Sequence, residues 1–472
     1  MKTIIWFRED LRLFDNPALH HGVISGDVLP VFIYPKDLGG ARYWWLHHSL
    51  TALIDKLAAH NVPLILRTGD AADILVDLVT ELNADQVVWN RVYSPDGIDE
   101  GLKVKKALSH INVTSFNAQL LIEPTQVLNK QSLPFKVFTP FWRHCVANMD
   151  LSPPLAEPIT INPIAQPVES QSLEQWQLLP TKPDWSQGFY QRWEVGEDAA
   201  QKRWSDFLSS TIDRYKSGRD FPAQDNTSYL SPYLVYGEIS PKQIWFDTQQ
   251  AIANQEISAD NGTKFLSEIG WREFSRYLLV HFPHLVESPF NPRFEHFPWQ
   301  TDKALLDAWQ KGQTGYPIVD AGMQELWHTG YMHNRVRMVV ASFLTKHCLT
   351  HWREGMDWFW DTLVDADIAN NTASWQWASG CGADAAPFFR IFNPILQGEK
   401  FDKEGAYIKK WLPQLSKLPA KYIHKPWEAD PLTLITADVR LGDNYPEPVV
   451  DHKQARELAL DSYQKIKGIS VS

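Results

Sequence analysis

The sequence predicts an α/β amino-terminal domain, built on a doubly wound parallel sheet, followed by an all-α domain. Three observations carry that prediction. Up to about residue 120, short β-branched runs alternate with amphipathic stretches. Between Asp150 and Trp185 the chain carries seven prolines, and beyond about residue 198 the strand signal gives way to helical periodicity. A length of 472 residues exceeds one compact core and suggests two domains, or three.

Strands are expected in order at TIIWF, VLPVFIY, VPLILR, DQVVWN and INVTSF, separated by helical segments such as ARYWWLHHSLTALIDKLAAH and AADILVDLVTEL. That alternation is the pattern of βαβ units. No GxGxxG follows the first strand, so the sheet shows no dinucleotide fingerprint of its own. Pro153, Pro154, Pro158, Pro163, Pro167, Pro180 and Pro183 exclude regular helix and suit an extended connector laid over the surface. Helices then follow at GTKFLSEIGWREFSRYLLVHF, ALLDAWQKG, VRMVVASFLTKHCLTHWREGMDWFWDTLV and ARELALDSYQKI. The expected division is 1–130, a connector over 131–197, and a helical domain over 198–472.

A hydrophobic fraction of 44% with 21% charged residues excludes disordered and fibrous classes. Cys145, Cys348 and Cys381 share no metal-ligand or CxxC spacing, which reads as reduced thiols without zinc or a disulfide scaffold. The start, MKTIIWFREDLRLFD, brings Arg8, Glu9, Asp10 and Arg12 early and lacks an apolar core, so no signal peptide is expected. No apolar run approaches the roughly 18 residues of a membrane span. The expected location is the cytoplasm. A net charge of −11 argues against coating nucleic acid through bulk charge and leaves only a local basic patch.

Twenty-one tryptophans are far more than a neutral composition gives, either as bulky core or for stacking and redox work. In NNTASWQWASG, helical geometry puts Asn371 and Trp375 on one face and turns Trp377 away by roughly 200°. Two core tryptophans of a buried helix would look the same. Glu268, Trp271 and Arg272 stand at i, i+3 and i+4, which suits a joint site or an exposed ion pair beside a core indole. Asn334, Arg335 and Met338 lie within about one turn, as they also would on a solvated basic helix. Ser231 followed by Pro232 reads as a helix start, the serine as N-cap and the proline at N1. Such ends bind phosphate, although most bind nothing.

Together these stretches resemble one family, the DNA photolyases and cryptochromes, flavoproteins driven by blue light. The resemblance runs over nearly the whole chain: WFREDLRLFDNPAL at the start, KVFTPFW at 136–142, RDFP at 219–222, TSYLS at 227–231, EIGWREF at 268–274, TGYPIVDAGMQEL at 314–326, MHNRVRM at 332–338, then DADIANNTASWQW and ADAAPFFRIFNP. It implies an FAD folded into a U within the helical domain. Tyr215 and Thr227, Ser228, Tyr229, Leu230 and Ser231 match the phosphate and ribityl contacts. Asp365, Ala366 and Asp367 match the residues lining the isoalloxazine, and Arg337 the arginine paired with the first aspartate. Asn371 falls where the family faces flavin N5. An amide there is compatible with a fully reduced anionic flavin, whereas the aspartate of plant cryptochromes favours signalling. Trp375, Trp352 and Trp299 match the three tryptophans that carry electrons from the surface.

The resemblance further implies a cavity for a flipped-out pyrimidine dimer, with Trp271 and Trp377 stacking on it, Glu268 on its polar edge, Asn334 as a donor and Met338 against the rings. The (6-4) photolyases have histidine at both positions matching His333 and Met338, so Met338 favours cyclobutane dimers. Arg219, Arg272 and Arg335 are the expected phosphate contacts. The implied activity is light-driven repair by electron transfer from reduced FAD (FADH⁻) to the dimer, by a monomer with damaged DNA as partner, no obligate protein partner, no membrane and no metal. Alternatives are a cryptochrome-type receptor, a (6-4) photolyase, or a flavoprotein that only binds damage. The chain's stop at Ser472, without a long extension, leans away from the receptor. For an antenna, Gly97 after Asp96 stands where many members hold folate with an acidic residue. That disfavours folate in the usual mode and leaves deazaflavin, a second flavin, folate held differently, or none.

Overall fold

The computed structural model describes residues 1–385 and 389–469. Residues 386–388 of the block ADAAPFFRIFNP, and the terminal Ser472, lie outside them. The five expected runs form β1 (Lys2–Phe7), β2 (Asp27–Ile33), β3 (Ile65–Arg67), β4 (Gln86–Asn90) and β5 (Asn112–Phe116). They pair in parallel in the order β3-β2-β1-β4-β5, with Ile4 opposite both Leu29 and Val87. The crossovers are α1 (Pro17–Ser25), α2 (Gly40–Ala59), α3 (Ala71–Leu82) and α4 (Pro95–Ala107). Strands covered on both faces need unbroken apolar runs, which is why β1 buries Ile4, Ile5, Trp6 and Phe7 in succession.

The chain divides into two compact units. One comprises Met1–Asp184, Trp193–Lys216 and Ser228–Pro283; the other comprises Trp185–Arg192, Ser217–Thr227 and His284–Ser472. This departs from a division at residue 198. Besides α5 (Phe138–Asn148), the first unit holds α6 (Glu197–Ser210), α7 (Ser231–Tyr236), α8 (Pro241–Ala253) and α9 (Ala259–His281). Buried polar ties explain why these helices join the sheet. The Arg12 guanidinium donates to the carbonyls of Phe14, Asp15, Ala118 and Gly237. Glu197 accepts the N–H groups of Leu13 (2.8 Å) and Phe14 (2.9 Å), and Lys242 pairs with Asp15 at 2.7 Å. These bonds also give the FREDLRLFD stretch a structural purpose. The proline-rich connector belongs to this unit too: Ile161 and Ile164 are buried, and Ile164 N–H donates to Val28 O at 3.0 Å.

The second unit holds α10 (Lys303–Gln310), α11 (Pro317–Thr329), α12 (Asn334–Ser342), α13 (Trp352–Thr362), α14 (Ile368–Ser379), α15 (Pro394–Phe401), α16 (Ala406–Trp411) and α17 (His452–Lys467). The long helix expected over 336–364 is interrupted. After α12 comes one π-helical turn, Phe343–His347; Leu349 takes φ +49°, and Thr350 bridges to Gln300. His351 then caps α13, its Nδ1 accepting Arg353 N–H at 3.2 Å. Part of the tryptophan excess is core: Trp44, Trp45, Trp89, Trp309, Trp352 and Trp375 are fully buried. The three cysteines are free and buried. No helix among the described residues is long and apolar enough to cross a membrane.

Candidate functional site

The stretch containing Trp375 and Trp377 is helical, as α14. Asp367 caps it by accepting Asn370 N–H at 2.8 Å, and Gly380 ends it in the left-handed conformation. Asn371 and Trp375 are buried while Trp377 is half-buried, as the rotation between them requires. The Asn371 amide donates through Nδ2 to Met356 O at 2.9 Å, which leaves its oxygen as an acceptor. Trp375 lies against Gly355 of α13, where a Cβ would come within 2.0 Å of the indole Cη2. Glycine is therefore what lets the ring seat, one turn beyond Trp352. Asp365 is buried and receives Arg337 Nη2 on both oxygens, at 3.0 and 2.9 Å, while Arg337 Nε donates to Met332 O at 2.7 Å. Ala366 is buried between the two aspartates.

Trp352 and Trp375 are 1% and 2% exposed, whereas Trp299 is half-buried. The His351 ring stands between Trp299 (5.1 Å) and Trp352 (5.4 Å). Trp309, which sequence reasoning missed, meets Trp375 edge-on at 6.0 Å. No spacing rule singles it out.

The first turn of α12 carries Asn334, Arg335 and Met338. His333 caps it, its Nδ1 accepting Arg335 N–H at 3.2 Å. Burial pushes the His333 imidazole down to about 4, opposed by Asp220 and reinforced by Arg337, Arg335 and Arg219. Exposed Asn334 and half-buried Met338 are four residues apart, hence on one face. Arg335 pairs with Asp220 at 2.8 Å and lies over the Phe401 ring at 4.4 Å; Arg219 Nε stands 3.9 Å from the same aspartate. Both arginines are largely covered, with side chains 16% and 19% exposed for Arg219 and Arg335. Asp220 lies within RDFP, yet nothing in the sequence marks it as their common partner.

In the first unit, Glu268 accepts Lys264 Nζ at 2.8 Å along α9. Trp271 stacks on Phe138 at 3.9 Å and 9°, so one face of its indole is already covered. Arg272 departs from its expected place at a DNA phosphate. It is buried, and Nη1 donates to Gln119 O (2.7 Å) and Glu273 (3.1 Å) while Nη2 donates to Leu234 O (3.4 Å). On a helix whose apolar face packs inward, the position after Trp271 turns toward Gln119 and Leu234 and needs internal acceptors. Tyr215 is buried edge-on to Phe207 and Phe265.

TSYLS also shifts by one residue. Leu230, not Ser231, is the N-cap of α7, with no side-chain bond; Ser231 is the first helical residue and Pro232 the second. Tyr229 takes φ +53° under the Arg203 guanidinium (5.7 Å), which turns the chain into the helix early. Ser228 Oγ accepts Leu230 N–H at 3.4 Å. In the second unit, Thr227 Oγ1 is buried without a hydrogen-bond partner among the described residues, a hydroxyl suited to a polar ligand atom. A groove of about 700 Å³, lined by residues including His328, Lys410, Trp411 and Asn444, contains none of the expected site residues.

Residues 3–159 match DNA photolyase, and residues 265–465 match the FAD binding domain of DNA photolyase. Over 474 residues the chain is 50% identical to a deoxyribodipyrimidine photo-lyase of Agrobacterium fabrum (strain C58 / ATCC 33970), covering 98% of each. It is 39% identical to cryptochrome-2 of Arabidopsis thaliana, over 99% of this chain and 79% of the relative. A crystal structure of a bacterial class III photolyase from Agrobacterium tumefaciens superposes with a TM-score of 0.96 at 49% identity, covering 99% of this chain and 98% of that one. The chain belongs to the DNA photolyase family and carries its FAD-binding domain.

Proposed function

We propose that this chain is a light-driven lyase that splits cyclobutane pyrimidine dimers in DNA. The observation that carries this reading is 50% identity over 98% of the chain with a relative named deoxyribodipyrimidine photo-lyase. When bound, reduced FAD supplies the photoexcited electron that opens the cyclobutane ring. The residues fit such a group. Thr227 brings an unpartnered hydroxyl to the phosphate-side set, which comprises Tyr215 and residues 227–231. Asp365 and Arg337 form a charge-balanced pair on the ring side, with Ala366 and Asp367 beside them. The anchored Asn371 presents an amide oxygen rather than an acid, which favours repair over the signalling role of its cryptochrome relatives.

Half-buried Trp271 and Trp377 are the rings that stack on the extruded pyrimidines, and base–aromatic stacking contributes about 1–3 kcal/mol per base. Glu268 accepts from their N–H edge. Asn334 donates, and Met338 packs on the rings without offering a proton, as cyclobutane chemistry allows and (6-4) chemistry does not. Trp375, Trp352 and Trp299 carry electrons toward the flavin. Phosphate contact rests on Arg219 and Arg335 and no longer on Arg272. For the antenna, a Cβ on Gly97 would sit 2.6 Å from Val92 Cγ1 and 2.8 Å from Ser94 Oγ. That crowding supports the reading that disfavours folate in the usual mode and leaves deazaflavin, a second flavin, folate held differently, or none. The protein acts as a cytoplasmic monomer and needs no protein partner.

The test is to reduce the purified protein under blue light and follow the flavin spectrum together with cyclobutane and (6-4) lesions in defined oligonucleotides. Cyclobutane dimers should disappear with light while (6-4) lesions persist. Loss of (6-4) lesions alone overturns the reading from Met338, and loss of neither favours a receptor. Chromophore extraction from the same preparation identifies any antenna.

A further inference from the structure

We propose that Glu325, acting with Tyr407, positions the lesion-reading first turn of α12. This rests on the reading above that Asn334 and Met338 face the dimer. The opening N–H groups of a helix have no partners within it. At α12 the His333 ring takes Arg335 N–H, and the N–H of His333 itself is taken by Glu325 Oε2 at 3.0 Å, from α11 eight residues earlier. The same carboxylate oxygen accepts Tyr407 Oη at 2.6 Å. Tyr407 is held in turn, because Asp402 accepts the N–H groups of Tyr407 (2.9 Å) and Ile408 (3.0 Å). Phe401, immediately before Asp402, lies under Arg335.

Segment 401–408 therefore grips the start of α12 at two points. One is the main chain of residue 333, through a carboxylate, and the other is the side chain of residue 335, through a ring. Asn334 lies between them. The body of α12 is secured separately, by the Arg337–Asp365 pair and by buried Val336, Val339 and Val340. Loss of Glu325 thus frees the first turn while the rest of the helix stays seated. A carboxylate suits the task because charge-assisted acceptors hold two donors more strongly than an amide does.

The experiment uses the FAD-loaded enzyme and compares wild type with Glu325→Ala, Glu325→Gln, Tyr407→Phe, Asn334→Ala and the double variant Glu325→Ala/Asn334→Ala. Affinity for a dimer-containing duplex and for an undamaged duplex is measured alongside flavin content. Glu325→Ala should weaken dimer binding about tenfold, since small misplacements of a binding group cost up to about a hundredfold. Binding of undamaged duplex should fall less than dimer binding, since of the first-turn groups only Arg335 meets phosphate, and flavin content should hold. Glu325→Gln should recover most of the loss. The double variant should bind no worse than Asn334→Ala alone, because both changes act on one contact. Additive losses, or equal weakening of damaged and undamaged DNA together with flavin loss, overturn the proposal. If Asn334→Ala leaves dimer binding intact, the lesion reading of α12 fails instead. Should Glu325→Ala not fold, Tyr407→Phe decides: unchanged discrimination between the two duplexes overturns the proposal.

Discussion

A guanidinium bonded to Gln119 O, Leu234 O and Glu273, and only 8% exposed, has little left to offer a phosphate. Arg272→Ala removes the cation paired with a buried carboxylate; burial already pushes Glu273 up to about 7 with Arg272 beside it. Breaking such a pair costs about 3–5 kcal/mol, so chemical denaturation should show a loss of that order. The salt dependence of DNA binding should not change. A slope reduced by about one, with stability intact, would return Arg272 to the DNA. Removing Arg337 should expose the same physics at Asp365: Arg337→Met is expected to lose flavin content, read from the absorbance ratio of purified protein. Residue types at the site were legible because motif and spacing record them. Their partners were not, since Asp220 lies 115 positions from Arg335 and only the fold brings the two together.

Taken as a helix, the stretch of α14 is separated by its 3.6-residue period into Asn371 and Trp375 on one side and Trp377 on the other, as their burial shows. The break between α12 and α13 was not legible in the sequence. Residues 340–354 contain neither proline nor glycine, and the stop comes from the pairing of Thr350 with Gln300 and from His351 as a cap. The seat of Trp375 on α13 makes a test of the two elements together. Gly355→Ala drives a methyl into the indole, and overpacking of this kind costs about 1–3 kcal/mol. A lower melting temperature and slower photoreduction of oxidised flavin are expected, because the displaced ring is the one next to Asn371. Trp375→Phe should stop photoreduction yet leave repair by chemically reduced enzyme in place. Unchanged photoreduction would remove Trp375 from the electron path.

At the scale of the whole molecule, stability should carry a signature of buried carboxyls. Burial pushes Glu238 up to about 8 from its ordinary 4.5, although Trp45 Nε1 donates to it at 3.1 Å. A raised carboxyl binds its proton more tightly in the folded state, so its contribution is complete below about 4.5 and is lost as pH rises through 8. Glu238→Gln keeps an acceptor for Trp45 and removes the titration. The melting temperature of wild type should therefore fall relative to the variant between pH 4.5 and 8; parallel curves would show that Glu238 stays charged. The sheet and the helical half were readable from periodicity, but the division of units was not. It follows from ties such as Arg12 to Gly237, and no local pattern announces a bond across 225 residues. The same ties set a timetable. The chain passes between its units at 184, 192, 216, 227 and 283, so neither unit is one continuous piece. A ribosome adding about 5–20 residues per second takes roughly 10 to 45 s to go from Arg12 to Gly237. Through that interval the Arg12 guanidinium lacks the last of its four carbonyl acceptors, so the sheet is made well before the bond that completes its burial.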